Sequence, residues 1–181
     1  MSPAAVLLEY AGKIVLMAAL LCCSAFFSGS ETAYFQLSRK TVGQFAASAN
    51  RLERLTAHVL QDPNRFLTAL LLGNLTVNIL FFAISGTLVI QVGSSYGPVF
   101  GTVTGIVCFS ILLLAGEMLP KSWAYANTRR FCIISSPVNY TLVRVLGPVL
   151  KIIDVIILKP ALRLFVGPQK TGAISINQFK L

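Results

Sequence analysis

The sequence predicts an all-α membrane protein with three transmembrane helices and additional juxtamembrane or interfacial helices. Three observations carry this. Of 181 residues, 55% are hydrophobic and only 12% are charged, against about 25% charged in an ordinary soluble domain. Three apolar stretches are long enough to cross a bilayer core, which takes about 20 helical residues. The 15 Lys and Arg residues, against six Asp and Glu, gather in the segments that flank those stretches.

The first predicted span covers residues 14–37, between Lys13 and the Arg39-Lys40 pair. It is longer than the apolar core of a signal peptide and follows Glu9, so it reads as a retained span. The second, 66–92, contains no charged residue, and the third, 98–119, contains only Glu117. The segment between the first two spans holds Arg39, Lys40, Arg51, Arg54 and Arg65 and is expected to form an interfacial helix over about 40–60, with a turn at Asp62-Pro63-Asn64. Only the uncharged GSSYGP links the second and third spans. The excess of Lys and Arg in the first loop and after the third span predicts the N-terminus outside and the C-terminus in the cytoplasm. Residues 131–166 are apolar, but Pro137, Gly147-Pro148 and Pro160 interrupt them and basic residues recur along them. They are expected to form interfacial helices, with a fourth span as the alternative. Residues 168–181 read as a tail or the start of a further domain.

Composition also excludes function classes. The net charge of +9 is spread over segment ends without interleaved aromatics, which disfavours nucleic acid and fits contact with anionic lipid. Cys22, Cys23, Cys108 and Cys132 form neither a disulfide framework nor a CxxC pattern. No His or Lys base accompanies a membrane serine, so a serine hydrolase is disfavoured and no enzymatic activity is expected.

Ionisable residues inside a membrane are costly and mark functional sites. Two carboxylates qualify. Glu117 lies in GEMLPKSWA, where Pro120 cannot donate to the Gly116 carbonyl four residues back. A freed carbonyl beside a carboxylate is a pair of hard oxygens. Glu31 lies in SAFFSGSETA, two turns before Arg39 and Lys40; pairing with those cations is its bland role. In the same motif Ser24 and Ser28 are four apart and share one helical face, where they either bond back to the helix or present hydroxyls to a cation. GNLTVN in the second span places Asn74 and Asn78 on one face, either as interhelical glue or as ligands. A set of hydroxyls, amides, one carbonyl and one carboxylate suits Mg²⁺, Ca²⁺ or Na⁺ rather than a soft metal.

SAFFSGSETA, GNLTVN and GEMLPKSWA, in that order on three successive spans, resemble the membrane domain of the cyclin M (CNNM)/CorC family over about residues 6–167, within an expected domain of residues 1–167. The resemblance implies a multi-pass domain of the plasma or inner membrane, associated with Mg²⁺ transport and in many members with Na⁺-dependent Mg²⁺ efflux, working as a homodimer by alternating access. It implies Mg²⁺ ligands at Ser24, Ser28, Asn74, Gly116 and Glu117, with Asn78 and Glu31 as further matching positions, and with Na⁺ as the coupling ion. Family members typically continue into cytosolic CBS modules that bind ATP; this sequence ends at Leu181 without them. The other reading is a membrane scaffold or sensor that regulates another ion transporter.

Overall fold

The structure is a computed structural model that describes residues 3–153, with side chains from 10 to 148. Seven α-helices follow one another: α1 (Pro3–Gln36), α2 (Arg39–Ala46), α3 (Arg51–Val59), α4 (Pro63–Tyr96), α5 (Pro98–Ile111), α6 (Leu119–Ala126) and α7 (Thr128–Ile153). A π-helical segment, Leu112–Met118, joins α5 to α6 without a break. Three stretches are long and apolar enough to cross a membrane: Tyr10–Gln36, Pro63–Tyr96 and Pro98–Ala126. The chain is therefore a multi-pass membrane protein built around α1, α4 and the continuous α5–α6 rod. The chain divides into two compact units at Arg144, and the second contributes the described end of α7 from Val145 onward.

The helix boundaries follow from local chemistry. Ser38 caps α2 by accepting the Thr41 N–H at 3.1 Å, and Asn50 caps α3 by accepting the Leu52 N–H at 2.9 Å. Asp62 caps α4 by accepting the Arg65 N–H at 3.2 Å, with Pro63 at the first helical position, where its missing N–H costs nothing. Asp62-Pro63-Asn64, expected as a turn, is thus a cap and the opening turn of the second span. The expected single helix over 40–60 is two helices, because the Ala47–Asn50 stretch ends one and caps the next.

The expected GSSYGP loop is almost wholly helical. Only Gly97 leaves the helix, with φ of +102°, the sole positive φ among the described residues. A residue with a Cβ is strained in that region. The reversal is so tight that α4 and α5 meet on glycine: a Cβ on Gly101 would lie 3.0 Å from the Gly93 Cα and 3.1 Å from the Val89 carbonyl oxygen.

Two prolines behave differently from the sequence expectation. Pro137 and Pro148 do not cut the last segment, since α7 runs unbroken through both. Pro137 would leave the Ile133 carbonyl without its helical donor; the Ser136 hydroxyl donates to that carbonyl at 2.9 Å instead. Among the described residues, α7 is not one of the three span-length apolar helices. It buries Phe131, Cys132, Ser135, Ser136 and Asn139 and exposes Ile134 and Val138. Pro160 and the rest of the expected interfacial segment to 166 lie outside the described residues.

The interior has two apolar clusters. One is Phe81, Cys108 and Leu112, flanked by Leu20 and Leu21. The other joins Ala33, Tyr34, Val59, Phe66, Leu70, Ala124, Phe131 and Cys132. Along α1 and along α4 the polar motif residues fall between these clusters.

Candidate functional site

The site forms where α1, α4 and the π segment meet. Ser24 lies twelve residues before Gln36, Asn74 eleven after Pro63, and Glu117 nine before Ala126. The three helical segments therefore hold these residues well inside their lengths, and the contacts below bring them together. The expected end of the third span at Leu119 put Glu117 at a helix end; the rod continues to Ala126, roughly 10 Å further at 1.5 Å per residue.

Hydrogen bonds connect the set. The Asn78 amide nitrogen donates to Glu117 Oε1 at 2.9 Å. The Ser24 hydroxyl, fully buried, donates to Asn78 Oδ1 at 2.8 Å and lies 3.4 Å from Asn74 Oδ1. Ser28, also fully buried, reaches the Glu117 main-chain carbonyl at a long 3.5 Å. Neither serine is used to bond back to its own helix, whereas Thr76, between the two asparagines, does so to the Leu72 carbonyl at 2.8 Å and faces outward. Six of the seven expected residues are thus adjacent: Ser24, Ser28, Asn74, Asn78, Gly116 and Glu117.

Gly116 earns its place through proximity. It is buried, and a Cβ there would lie 3.2 Å from Ser24 Oγ and 3.1 Å from Leu112 Cδ1. The absent side chain lets the π segment approach the polar face of α1. A second glycine acts alike on α4, where a Cβ on Gly73 would lie 2.9 Å from the Phe27 ring.

The π-helical turn was not anticipated. The Leu119 N–H bonds the Leu114 carbonyl five residues back, and Pro120 next to it offers no N–H. Wider turns of this kind occur mostly as short insertions inside α-helices, frequently at functional sites. The sequence signal was the glycine, carboxylate and proline within five residues, which indicates irregular hydrogen bonding but not its register. The carbonyl that receives a hydroxyl from the neighbouring helix is that of Glu117, one residue beyond the expected Gly116.

Glu31 stands apart. Its carboxylate is 4.0 Å from Lys121 Nζ, the residue after Pro120, and not with Arg39 or Lys40. It makes no hydrogen bond to the Glu117 cluster among the described residues. Cys22 and Cys23 are exposed, Cys108 and Cys132 buried, and all are free thiols. Among the described residues no three His, Cys, Asp or Glu side chains converge, so the Glu117 cluster is a one-carboxylate, neutral-oxygen site.

This three-helix domain, with a carboxylate and amides between its helices, defines a class of membrane domain that comparison with known sequences makes specific. The chain matches the cyclin M transmembrane N-terminal domain model over residues 15–179. It belongs to the cyclin M (CNNM) transmembrane-domain family. It is similar to the UPF0053 inner membrane protein YfjD of Escherichia coli (strain K12), with 35% identity over 101 residues, covering 56% of this chain and 23% of the relative. A UPF0053 protein of Haemophilus influenzae is 24% identical over 141 residues, covering 78% of this chain and 33% of the relative. A putative DUF21 domain-containing chloroplastic protein of Arabidopsis thaliana is 35% identical over 147 residues, covering 77% and 20%. The chain thus spans no more than a third of the length of these relatives.

Proposed function

We propose that the chain is the membrane domain of a divalent-cation transporter, with Mg²⁺ as cargo and Glu117, Asn74, Ser24, Ser28 and the Gly116 carbonyl as its ligands. The observation that carries this reading is the Asn78–Glu117 contact, with Ser24 and Asn74 behind it. A single carboxylate among hydroxyls and amides offers hard oxygens with only one formal charge, which suits an ion that must leave again. Mg²⁺ sheds water reluctantly, so selection would rest on how many protein oxygens replace its shell.

In this reading Asn78 is the clasp. Its amide nitrogen holds Glu117 Oε1 through a donor a cation would replace, and turning the amide would bring Oδ1 to the ion. Release follows when the carboxylate is neutralised or the three helices separate, with Na⁺ the proposed counter-ion and a homodimer the proposed unit of alternating access. The proposed orientation has the basic α2–α3 segment in the cytoplasm, and the proposed location is the plasma or inner membrane.

The test is Mg²⁺ flux through purified protein in liposomes, with and without a Na⁺ gradient. Flux that disappears in Glu117→Gln supports transport. Mg²⁺ binding without flux in any gradient would favour the sensor or scaffold reading.

A further inference from the structure

A second polar site lies away from Glu117, at the start of the second span. A cavity of about 400 Å³ is lined by His58 and Val59 of α3, Gln61 and Asp62 of the connecting turn, Arg65 of α4, and Tyr140, Val143 and Arg144 of α7. Two guanidiniums and an imidazole face one carboxylate.

Among the described residues neither guanidinium is in an ion pair. The acidic residues Glu31 and Glu53 pair instead with Lys121 and Arg129. Asp62 uses its carboxylate to cap the Arg65 main-chain N–H. The Arg65 Nε is buried and has no hydrogen-bond partner. A buried N–H left without an acceptor is costly and uncommon in folded proteins, and one on a cation more so. His58 and Arg144 make no side-chain hydrogen bond among the described residues either; the His58 ring lies 5.9 Å from that of Tyr140.

The missing partner is an acceptor, and net positive charge makes it an anionic one. Forked guanidinium donors match the oxygens of phosphate. Arg65 sits two residues after Pro63, where the apolar span starts, which is the level of lipid headgroups. Tyr140 suits that boundary, with an apolar ring and a polar tip.

We propose that this cavity binds a phosphate group through Arg65 and Arg144, carried by an anionic lipid headgroup or free in solution. The site ties the start of α4 to α7 by a ligand that bridges the two guanidiniums. It is independent of the Glu117 cluster.

The experiment uses the full chain in detergent and in nanodiscs, with phosphatidylglycerol, phosphatidylcholine and inorganic phosphate as probes. Arg144 is exposed, so Arg144→Gln is expected to fold; Arg130→Gln is the control for general surface charge. For a lipid-borne phosphate, Arg144→Gln lowers phosphatidylglycerol affinity about tenfold, as expected for a lost charge-assisted contact, Arg130→Gln leaves it unchanged, and millimolar phosphate does not compete. For a free phosphate, inorganic phosphate alone raises the melting temperature of the parent protein and not of Arg144→Gln, and it displaces phosphatidylglycerol. Equal responses in the parent and Arg144→Gln, or an equal loss in Arg130→Gln, overturn the proposal.

Discussion

The Asn78 amide nitrogen lies 2.9 Å from Glu117 Oε1, so the carboxylate of the third span is held by an amide of the second. A hydrogen bond to a charged group contributes about 1.5–3 kcal/mol, although pairs inside membranes average less, about 0.6 kcal/mol. Asn78→Ala is expected to lower stability within that range. Asn78→Asp places two carboxylates in contact and is expected to destabilise more, with recovery on adding Mg²⁺. Thermal unfolding of both variants with and without Mg²⁺ checks this; equal behaviour would show that Asn78 does not govern Glu117.

Glycine at the α4–α5 reversal is a packing requirement. The neighbours of a Cβ on Gly101 are main-chain atoms of Gly93 and Val89, which cannot rotate away. Gly101→Ala is expected to cost about 1–3 kcal/mol, as overpacking does. Gly43, inside α2, has nothing within 4 Å of its built Cβ, so Gly43→Ala should gain about 0.5–1 kcal/mol from reduced chain entropy. Opposite signs in chemical or thermal unfolding are the expected result.

Asn139 is fully buried, and its amide nitrogen donates to Ser30 Oγ and Ser135 Oγ, both at 3.3 Å. Around it, Tyr34 and Thr56 donate to the Cys132 carbonyl at 3.0 and 3.3 Å. This network fastens α1 and α3 to α7. Asn139→Ala leaves the two hydroxyls without their donor and is expected to cost about 1–3 kcal/mol. Proteolysis of the α2–α3 segment should then accelerate; an unchanged cleavage rate would mean that the network does not hold α3. Burial pushes the Cys132 thiol up to about 12, so this residue should resist alkylation in the folded protein and react on unfolding.

One pair outside the membrane responds to pH. The Ser48 hydrogen bond, then the Arg129 hydrogen bond and charge, hold the Glu53 carboxyl below its usual 4.5. Arg129 Nη2 lies 2.9 Å from Glu53 Oε1, and its guanidinium carbon is 5.3 Å from the centre of the Phe45 ring. A carboxylate with a depressed folded-state pKa adds stability that is complete above the unfolded pKa and is lost as pH falls through the folded one. The α2–α3–α7 contact should therefore loosen below about pH 4.5, and Glu53→Gln should remove that part of the pH dependence in unfolding curves.

Much of this was readable in the sequence because membranes constrain it. Apolar run length placed three spans, and polar residues at intervals of four placed Ser24 with Ser28 and Asn74 with Asn78 on shared faces. The resemblance brought the motifs together before any contact was known. What failed was punctuation. Pro63, Pro120 and Pro137 read as breaks, yet each lies within or opens a helix, because a cap, a π turn or a serine hydroxyl accommodates the missing N–H; α7 also continues through Pro148. The pairing of Glu31 with Lys121 and the guanidinium-lined cavity of Arg65 and Arg144 depend on distant chain segments, which no local pattern encodes.

Glu117 is proposed above as part of a cation site. Its most direct test is the Mg²⁺-dependent shift in melting temperature of the purified protein, for the parent and for Glu117→Gln. A saturable rise with millimolar Mg²⁺ is expected in the parent and none in the variant. A rise of equal size in both would contradict it and leave Glu117 as an interhelical anchor for Asn78.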